Sequence, residues 1–335
     1  MSIAIKDQPG SDKDMVAEAE RALADISRVR DGVGRVIFGQ ESVVERTLVA
    51  LLAGGHALLV GVPGLAKTKL VETLGIVLGL DARRIQFTPD LMPSDILGSE
   101  VMEQDEAGRR SFRFIPGPIF AQLLMADEIN RASPRTQSAL LQSMQEYHVT
   151  VAGARHDLPS PFHVLATQNP LEQEGTYPLP EAQLDRFLMQ VDVLYPEIEA
   201  ERRILLETTG IEDARAENVL DAKRLKEIQF LIRRMPVPES VVEAILDLVR
   251  AARPGQGSAE TDRHVAWGPG PRASQALTLC ARARALYDGR LAPSVDDVRA
   301  LAEPVLQHRM ALTFAARAEG MSVRDVIGRL VKARG

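Results

Sequence analysis

Two hydrophobic periodicities take turns along the chain. From about Asp14 to Val33 the apolar residues Met15, Val16, Ala19, Leu23, Ile26 and Val29 recur at three- and four-residue spacing. That predicts an amphipathic helix, after a first dozen residues that are polar and expected to fray. Ser42–Ala53 predicts a second helix. His56–Val60 is a short apolar run bounded by glycines, the form of a strand covered on both faces. Arg84–Phe87, Leu123–Ala126, Phe162–Thr167 and Leu188–Val193 have the same form, and helical stretches at Leu65–Leu78 and Ser133–Tyr147 separate them. Alternation of this kind predicts an α/β fold, a parallel sheet with helices on its faces.

Two stretches break the alternation. Gly98–Pro116 places β-prone arms around a polar turn at Gly108, and His148–Phe162 does the same around Gly153, so both predict inserted hairpins. After Tyr195-Pro196 the strands are expected to stop. Helices are predicted at Glu197–Thr208, Ala222–Arg234, Glu239–Ala252, Arg272–Tyr287, Val295–His308 and Val323–Lys332. A boundary near 195–210 divides an α/β part, 1–200, from a helical part, 201–335. No internal repeat is visible.

Composition narrows the class. Only 4% of the 335 residues are aromatic, so the cores rest on Leu, Val, Ile and Ala, which disfavours an all-β barrel. The length alone suggests about two domains. Lone Cys280 excludes an intrachain disulfide and a cysteine-based zinc site, pointing to a cytoplasmic home. The amino terminus lacks the pattern of a secretory signal. Thr47–Ala66 is the longest stretch without Asp, Glu, Lys or Arg, but its glycines and Pro63 make it a helix, turn, strand and loop rather than a membrane span. With 40 Lys+Arg against 46 Asp+Glu the net charge is −6, which argues against wholesale duplex binding and makes nucleic acid an unfavoured partner. His56, His148, His156, His163, His264 and His308 show no ligand spacing. Arg109, Arg110 and Arg113 are read as a solvated hairpin face.

The chemistry concentrates after the predicted strand His56–Val60. Gly61-Val62-Pro63-Gly64-Leu65-Ala66-Lys67-Thr68 sits between a strand and a helix, the setting of a phosphate-binding loop. Glycines let successive N–H groups turn inward, and the helix amino end adds a favourable dipole. Lys67 would reach the β- and γ-phosphates and Thr68 would offer its hydroxyl to Mg²⁺. Ala66 stands where such loops usually have glycine, and right-handed backbone angles are expected there. About sixty residues on, Leu123-Leu-Met-Ala-Asp127-Glu128 is an apolar strand ending in two acids. Asp127 would hold Mg²⁺ through water and Glu128 would activate an attacking water. Asn169, after Ala-Thr-Gln, would present its amide at the edge of a neighbouring strand. By itself it reads more readily as a turn residue before Pro170.

These motifs, with Val36-Ile-Phe-Gly-Gln40, QFTPDLMPSDILG at 86–98, FIPGPIFAQLLMADEINRASPRTQSALLQSMQE at 114–146, ATQNP at 166–170 and EAQLDRF at 181–187, resemble the MoxR family of AAA+ ATPases over nearly the whole chain. The resemblance implies a P-loop NTPase core followed by an all-α lid, with ATP between them. It assigns Phe38, Gly39 and Gln40 to the adenine pocket, Gly61 through Lys69 to the phosphates, Arg186 to a neighbour's site as an arginine finger, and Arg272 to the lid's γ-phosphate sensor. Arg131 and Arg135 are alternatives for the trans arginine, and Arg272 could act in cis or trans. The two hairpins match inserts of this clade. Implied too are hexameric rings, hydrolysis of ATP, and chaperone-like maturation of client complexes. That role includes metal or cofactor insertion, often beside proteins with von Willebrand factor A domains. A nucleic-acid-stimulated motor of the same clade is the alternative. A nucleotide switch without turnover is disfavoured by the intact Asp127-Glu128 pair.

Overall fold

The computed structural model describes residues 12–104, 110–172, 175–208 and 215–334. Gly108 and Arg109 of the first hairpin turn lie outside them. Helices α1 (Asp12–Gly34) and α2 (Glu41–Leu52) precede β1 (Ala57–Val60), which leads into α3 (Lys67–Val77). β2 (Ala82–Gln86) is followed by α4 (Pro93–Leu97) and the hairpin β3 (Gly98–Gln104) with β4 (Arg110–Pro116). β5 (Leu123–Asp127) passes through a short 3-10 turn into α5 (Pro134–Glu146). The second hairpin, β6 (His148–Val151) with β7 (Ala154–Asp157), precedes β8 (His163–Gln168), α6 (Glu181–Leu184) and β9 (Met189–Asp192).

The central sheet has the order β2-β5-β8-β1-β9 and every pairing in it is parallel. Alternate residues serve opposite layers. Leu59, Leu123, Met125, Leu165 and Val191 join the core with α1, α2 and α3, while Leu58, Leu124, Ala126, Val164 and Ala166 join Phe87, Ile96, Leu140 and Met144. Burial on both faces is why these strands read as unbroken apolar runs, each large side chain stabilising by about 1.5–3 kcal/mol. Parallel register aligns the carboxyl ends of β1, β8 and β5: Val60 pairs with Gln168, and Met125 with Leu165. The loops that carry chemistry therefore leave one edge. The two inserted hairpins touch, Phe114 stacking on His156 with ring centroids 3.8 Å apart.

Beyond β9 run α7 (Ile198–Thr208), α8 (Ala222–Arg234), α9 (Glu239–Ala251), α10 (Ala259–His264), α11 (Pro271–Tyr287), α12 (Val295–Leu306), α13 (Phe314–Ala318) and α14 (Val323–Lys332). The expectation that strands stop after Tyr195-Pro196 needs correction. β10 (Val265–Trp267) and β11 (Ala311–Leu312) pair antiparallel within the helical part, too short to leave a periodic signal in sequence. The hydrophobic core is continuous from α1, α2 and the sheet into α8, α9, α11 and α12. None of the described helices is long and apolar enough to cross a membrane.

A polar seam closes this junction at the amino ends of β1 and β8. His56 Nε2 donates to the Met144 carbonyl at 3.2 Å while its Nδ1 accepts from the Val164 N–H at 2.9 Å. His163 Nδ1 donates to the Gly55 carbonyl, and its Nε2 accepts from Gln229 of α8. Each ring is thus held as one neutral tautomer, and a second proton would land on a nitrogen already accepting. Burial lowers the pKa of His56 to about 3 and of His163 to about 4. In the unfolded chain both would titrate near 6.5, so between that value and about 4 the unfolded state holds more protons and stability falls as pH falls. Thermal unfolding followed from pH 7 to 4 should show this slope, and His163→Gln, which cannot titrate, should flatten it.

Candidate active site

The candidate phosphate-binding loop is shaped by a close approach and a left-handed turn that favour glycine. A Cβ on Gly61 would lie 2.5 Å from the Val193 carbonyl oxygen, and Gly64 has φ +84°. Ala66, at the amino cap of α3, has φ 55° and ψ 20°. The expected right-handed angles are therefore wrong: the loop turns left-handed before the helix starts, as it would with glycine, and the alanine methyl bears a cost of about 1–2 kcal/mol. Lys67 Nζ donates to the carbonyls of Gly61 and, at 3.2 Å, Val62. Partial burial draws its pKa below the usual lysine value against the opposing pull of Asp127 and Glu128. The ammonium is thus folded over the loop mouth, within the field of both acids.

Those acids end β5. Asp127 is nearly buried, with both oxygens engaged: Oδ1 accepts from Thr167 Oγ1 at 2.5 Å, and Oδ2 from Arg84 Nη2 at 2.6 Å and Nε at 3.2 Å. Glu128 adopts left-handed angles, φ 55° and ψ 51°, and its N–H donates to the same Thr167 hydroxyl at 2.8 Å. Its Oε2 accepts from Gln86 Nε2 at 2.8 Å and Arg131 Nη1 at 3.0 Å. Arg131, considered as a trans arginine, is therefore committed within its own chain to Glu128, with Glu172 4.0 Å away. Arg135 is exposed.

Asn169 follows β8, between the acids and the loop, where the Gly61 N–H donates to the Gln168 carbonyl at 3.1 Å. Its Oδ1 accepts from the Leu171 N–H at 3.1 Å. The turn uses the carbonyl half of the amide, so the NH₂ half is the group suited to a phosphate or a water, and both sequence readings of Asn169 are compatible. Beside the loop, a cavity of about 330 Å³ is lined by Val36, Phe38, Gln40, Gly64, Leu65, Ala66, Lys69 and Ile204, among others. Gly39 lets α7 close it, since a Cβ there would meet the Ala200 Cβ at 2.2 Å, and Arg203 of α7 covers the Phe38 ring at 4.3 Å. An apolar slot next to a phosphate cradle suits a flat base. For a divalent cation the donors on hand are the Thr68 hydroxyl and the Asp127 carboxylate. Among the described residues no three His, Cys, Asp or Glu side chains cluster. This donor set fits Mg²⁺, which keeps waters and takes few protein oxygens when phosphates complete its shell.

Arg186 and Arg272 stand elsewhere. Both line a cavity of about 290 Å³ with Gly54, Gly55, His56, Tyr147, Asp185, Arg233 and Arg309. Gly55 and His56 precede β1 whereas the phosphate loop follows it, so the two places are separated by the strand's four residues, on the order of 13 Å. An Arg272 that senses the γ-phosphate beside its own Lys67 does not fit this arrangement. α11 starts at the opposite edge of the sheet, where Arg272 Nη1 lies 3.6 Å from Asp185 Oδ2. Burial and the neighbouring Arg272 both lower the pKa of Arg186, and its buried Nε has no hydrogen-bond partner. Arg309, 2% exposed, fixes this corner: Nε donates to Asp185 Oδ1 at 2.7 Å and Nη2 to the Phe187 carbonyl at 2.6 Å.

Comparison with known proteins fits this geometry. Residues 56–189 match the model of the ATPase family associated with various cellular activities, and 258–330 match the AAA lid domain. The chaperone MoxR1 of Mycobacterium tuberculosis is 44% identical over 329 residues, covering 97% of this chain and 84% of that protein. This chain belongs to the MoxR family of AAA+ ATPases. The protein MoxR of Methylorubrum extorquens is 31% identical over 304 residues, 85% of this chain and 87% of its own. A crystal structure of a Cytophaga hutchinsonii protein, there described provisionally as an ATPase, superimposes with TM-score 0.87 at 38% identity, over 96% of this chain and 97% of that one.

Within this MoxR-family chain the motifs single out Lys67, Asp127, Glu128, Asn169 and Arg186 but not the side chains around them. Arg84 and Thr167 hold Asp127, Gln86 holds Glu128, and Arg309 holds Asp185 beside Arg186. Thr167 lies within Ala166-Thr-Gln-Asn-Pro170, and a hydroxyl near the end of a strand adjoining two acids is a usable signal. Arg309 had none, since its partner Asp185 is 124 positions away.

Proposed function

We propose that the protein hydrolyses ATP to ADP and phosphate and uses the cycle to remodel or mature client protein complexes. The reading rests on one observation: Lys67, Asp127, Glu128 and Asn169 meet at the carboxyl edge of β1, β5 and β8, beside an apolar slot. In it, backbone N–H groups of 61–68 and the Lys67 ammonium bind the phosphates, with Thr68 and Asp127 on Mg²⁺. Mg²⁺, when bound, supplies charge neutralisation on the phosphate oxygens. Glu128 takes the proton of the attacking water, and the Asn169 amide orients that water or the γ-phosphate. The opposed location of Arg186 and Arg272 favours both acting on the next subunit's nucleotide, where a guanidinium spreads charge over phosphate oxygens. Head-to-tail contacts of that kind build closed rings, and the family relationship points to hexamers in the cytoplasm. Chaperone-like maturation of clients is the finer role, supported by the naming of the Mycobacterium tuberculosis relative as a chaperone; metal or cofactor insertion and von Willebrand factor A partners are proposed with it on the family resemblance alone.

The test is phosphate release by the purified protein. We expect turnover that requires Mg²⁺ and is indifferent to added single- or double-stranded DNA. Strong stimulation by DNA would move the reading to a nucleic-acid motor, and no ATP turnover in assembled rings would remove it.

A further inference from the structure

Arg84 is the cation nearest the metal-binding acid, and no motif assigns it. It lies on the edge strand β2, paired in register with Met125, while Gln86 pairs with Asp127. From there its guanidinium reaches Asp127 Oδ2 with two nitrogens, Nη2 at 2.6 Å and Nε at 3.2 Å, while Thr167 holds Oδ1 at 2.5 Å. Asp127 is 8% exposed. A carboxylate so far from water requires a counter-charge, and the Arg84 guanidinium supplies one. The Arg84 side chain is itself half exposed, so it can swing into water at small cost in packing. Its Nη2 also donates to Gln86 Oε1 at 2.9 Å, and Gln86 Nε2 donates to Glu128. One arginine thus touches the metal acid directly and the water-activating acid through one amide.

We propose that Arg84 is the cation Asp127 keeps until Mg²⁺ arrives: the metal must displace the guanidinium from Oδ2, and Arg84 thereby sets how much Mg²⁺ the site requires. Two positive groups at one carboxylate oxygen repel, so arginine and hydrated metal compete for it. Departure of Arg84 also removes the hydrogen bond on Gln86 Oε1, loosening the amide that holds Glu128. Metal binding thus frees Asp127 from its arginine and loosens one of the two donors on Glu128, while Arg131 keeps its bond to that acid. This inference rests on the reading of the site as one for Mg²⁺ and ATP.

The competing role has the opposite sign. If Arg84 merely orients Asp127 for the metal, its removal weakens metal binding. The experiment follows binding of a fluorescent ADP analogue at fixed nucleotide while Mg²⁺ is titrated, in wild type, Arg84→Met and Arg84→Gln. Arg84→Gln keeps a neutral donor for Oδ2 and guards against misfolding of the methionine variant. A charge-assisted hydrogen bond is strong enough that its loss should lower the Mg²⁺ midpoint by about tenfold in either variant. An unchanged or raised midpoint overturns the proposal. Wild-type protein that binds the analogue at no Mg²⁺ concentration overturns the nucleotide-site reading itself, and this inference with it. Wild-type binding that ignores Mg²⁺ overturns the inference alone.

Discussion

Glu128→Gln should bind ATP as well as the parent and release phosphate some 10²–10⁴-fold more slowly, the span usual for loss of a positioned general base. The substitution keeps the shape of the side chain and removes its basicity. It also leaves the backbone untouched, which matters because residue 128 sits at φ 55°, held by the bond from its N–H to Thr167. Gln86 and Arg131 would lose a charged acceptor, but the bonds they make run to Arg84, Glu128 and Glu172 rather than to the phosphate loop, so nucleotide affinity should survive. The check is kcat against the dissociation constant for ATP, measured on the same preparation. Intact turnover with intact binding would show that another group activates the water. The same variant, arrested with ATP bound, is the best bait for a pulldown of clients, because an ATP-state complex that cannot turn over should hold what it has engaged.

The second expectation concerns the arginines at the opposite edge. Lys67→Ala and Arg186→Ala proteins should each be nearly inactive alone, and mixing them should restore ATPase activity. With random equal mixing in a head-to-tail ring, a site is complete when an Arg186→Ala subunit supplies the phosphate loop and a Lys67→Ala neighbour supplies the arginine. That occurs at about a quarter of interfaces. Arg272→Ala should behave like Arg186→Ala, complementing Lys67→Ala but not Arg186→Ala, since the two arginines share one cavity. Activity no greater than the sum of the two parents, under conditions where mixed rings form, would refute a trans finger.

Short-range pattern carried most of the architecture. The five sheet strands and the helices at 133–147 and 222–234 were visible because burial on one or both faces writes a period into the chain. The ribbon of β10 and β11 was invisible, since two or three residues contain no period. Ala66 was misread for a related reason. Alanine prefers right-handed angles, but the loop's path is dictated by the close approach of Gly61 to Val193, and tertiary geometry overrode the local preference. Lys67, Asp127 and Glu128 were legible because they lie in compact motifs with a fixed spatial context. What the chain does not announce is pairing across long separations: Arg84 with Asp127 is 43 residues apart, and Arg309 with Asp185 is 124. The location of Arg272 was not legible, because sequence places a residue on a helix but does not say which edge of a sheet the helix meets.

The placement of Lys67 and Arg186 at the two ends of β1 has an arithmetic consequence. If each nucleotide must be flanked by the loop of one subunit and the arginines of the next, an open row of n subunits owns n − 1 complete sites, because the last loop faces no neighbour. Joining the ends adds the missing one. Closure of a six-membered ring would then raise the number of working sites from about five to six, so assembly would be rewarded in turnover as well as in buried surface. A single chain would own two halves and no whole, and an isolated subunit would guard bound ATP rather than spend it.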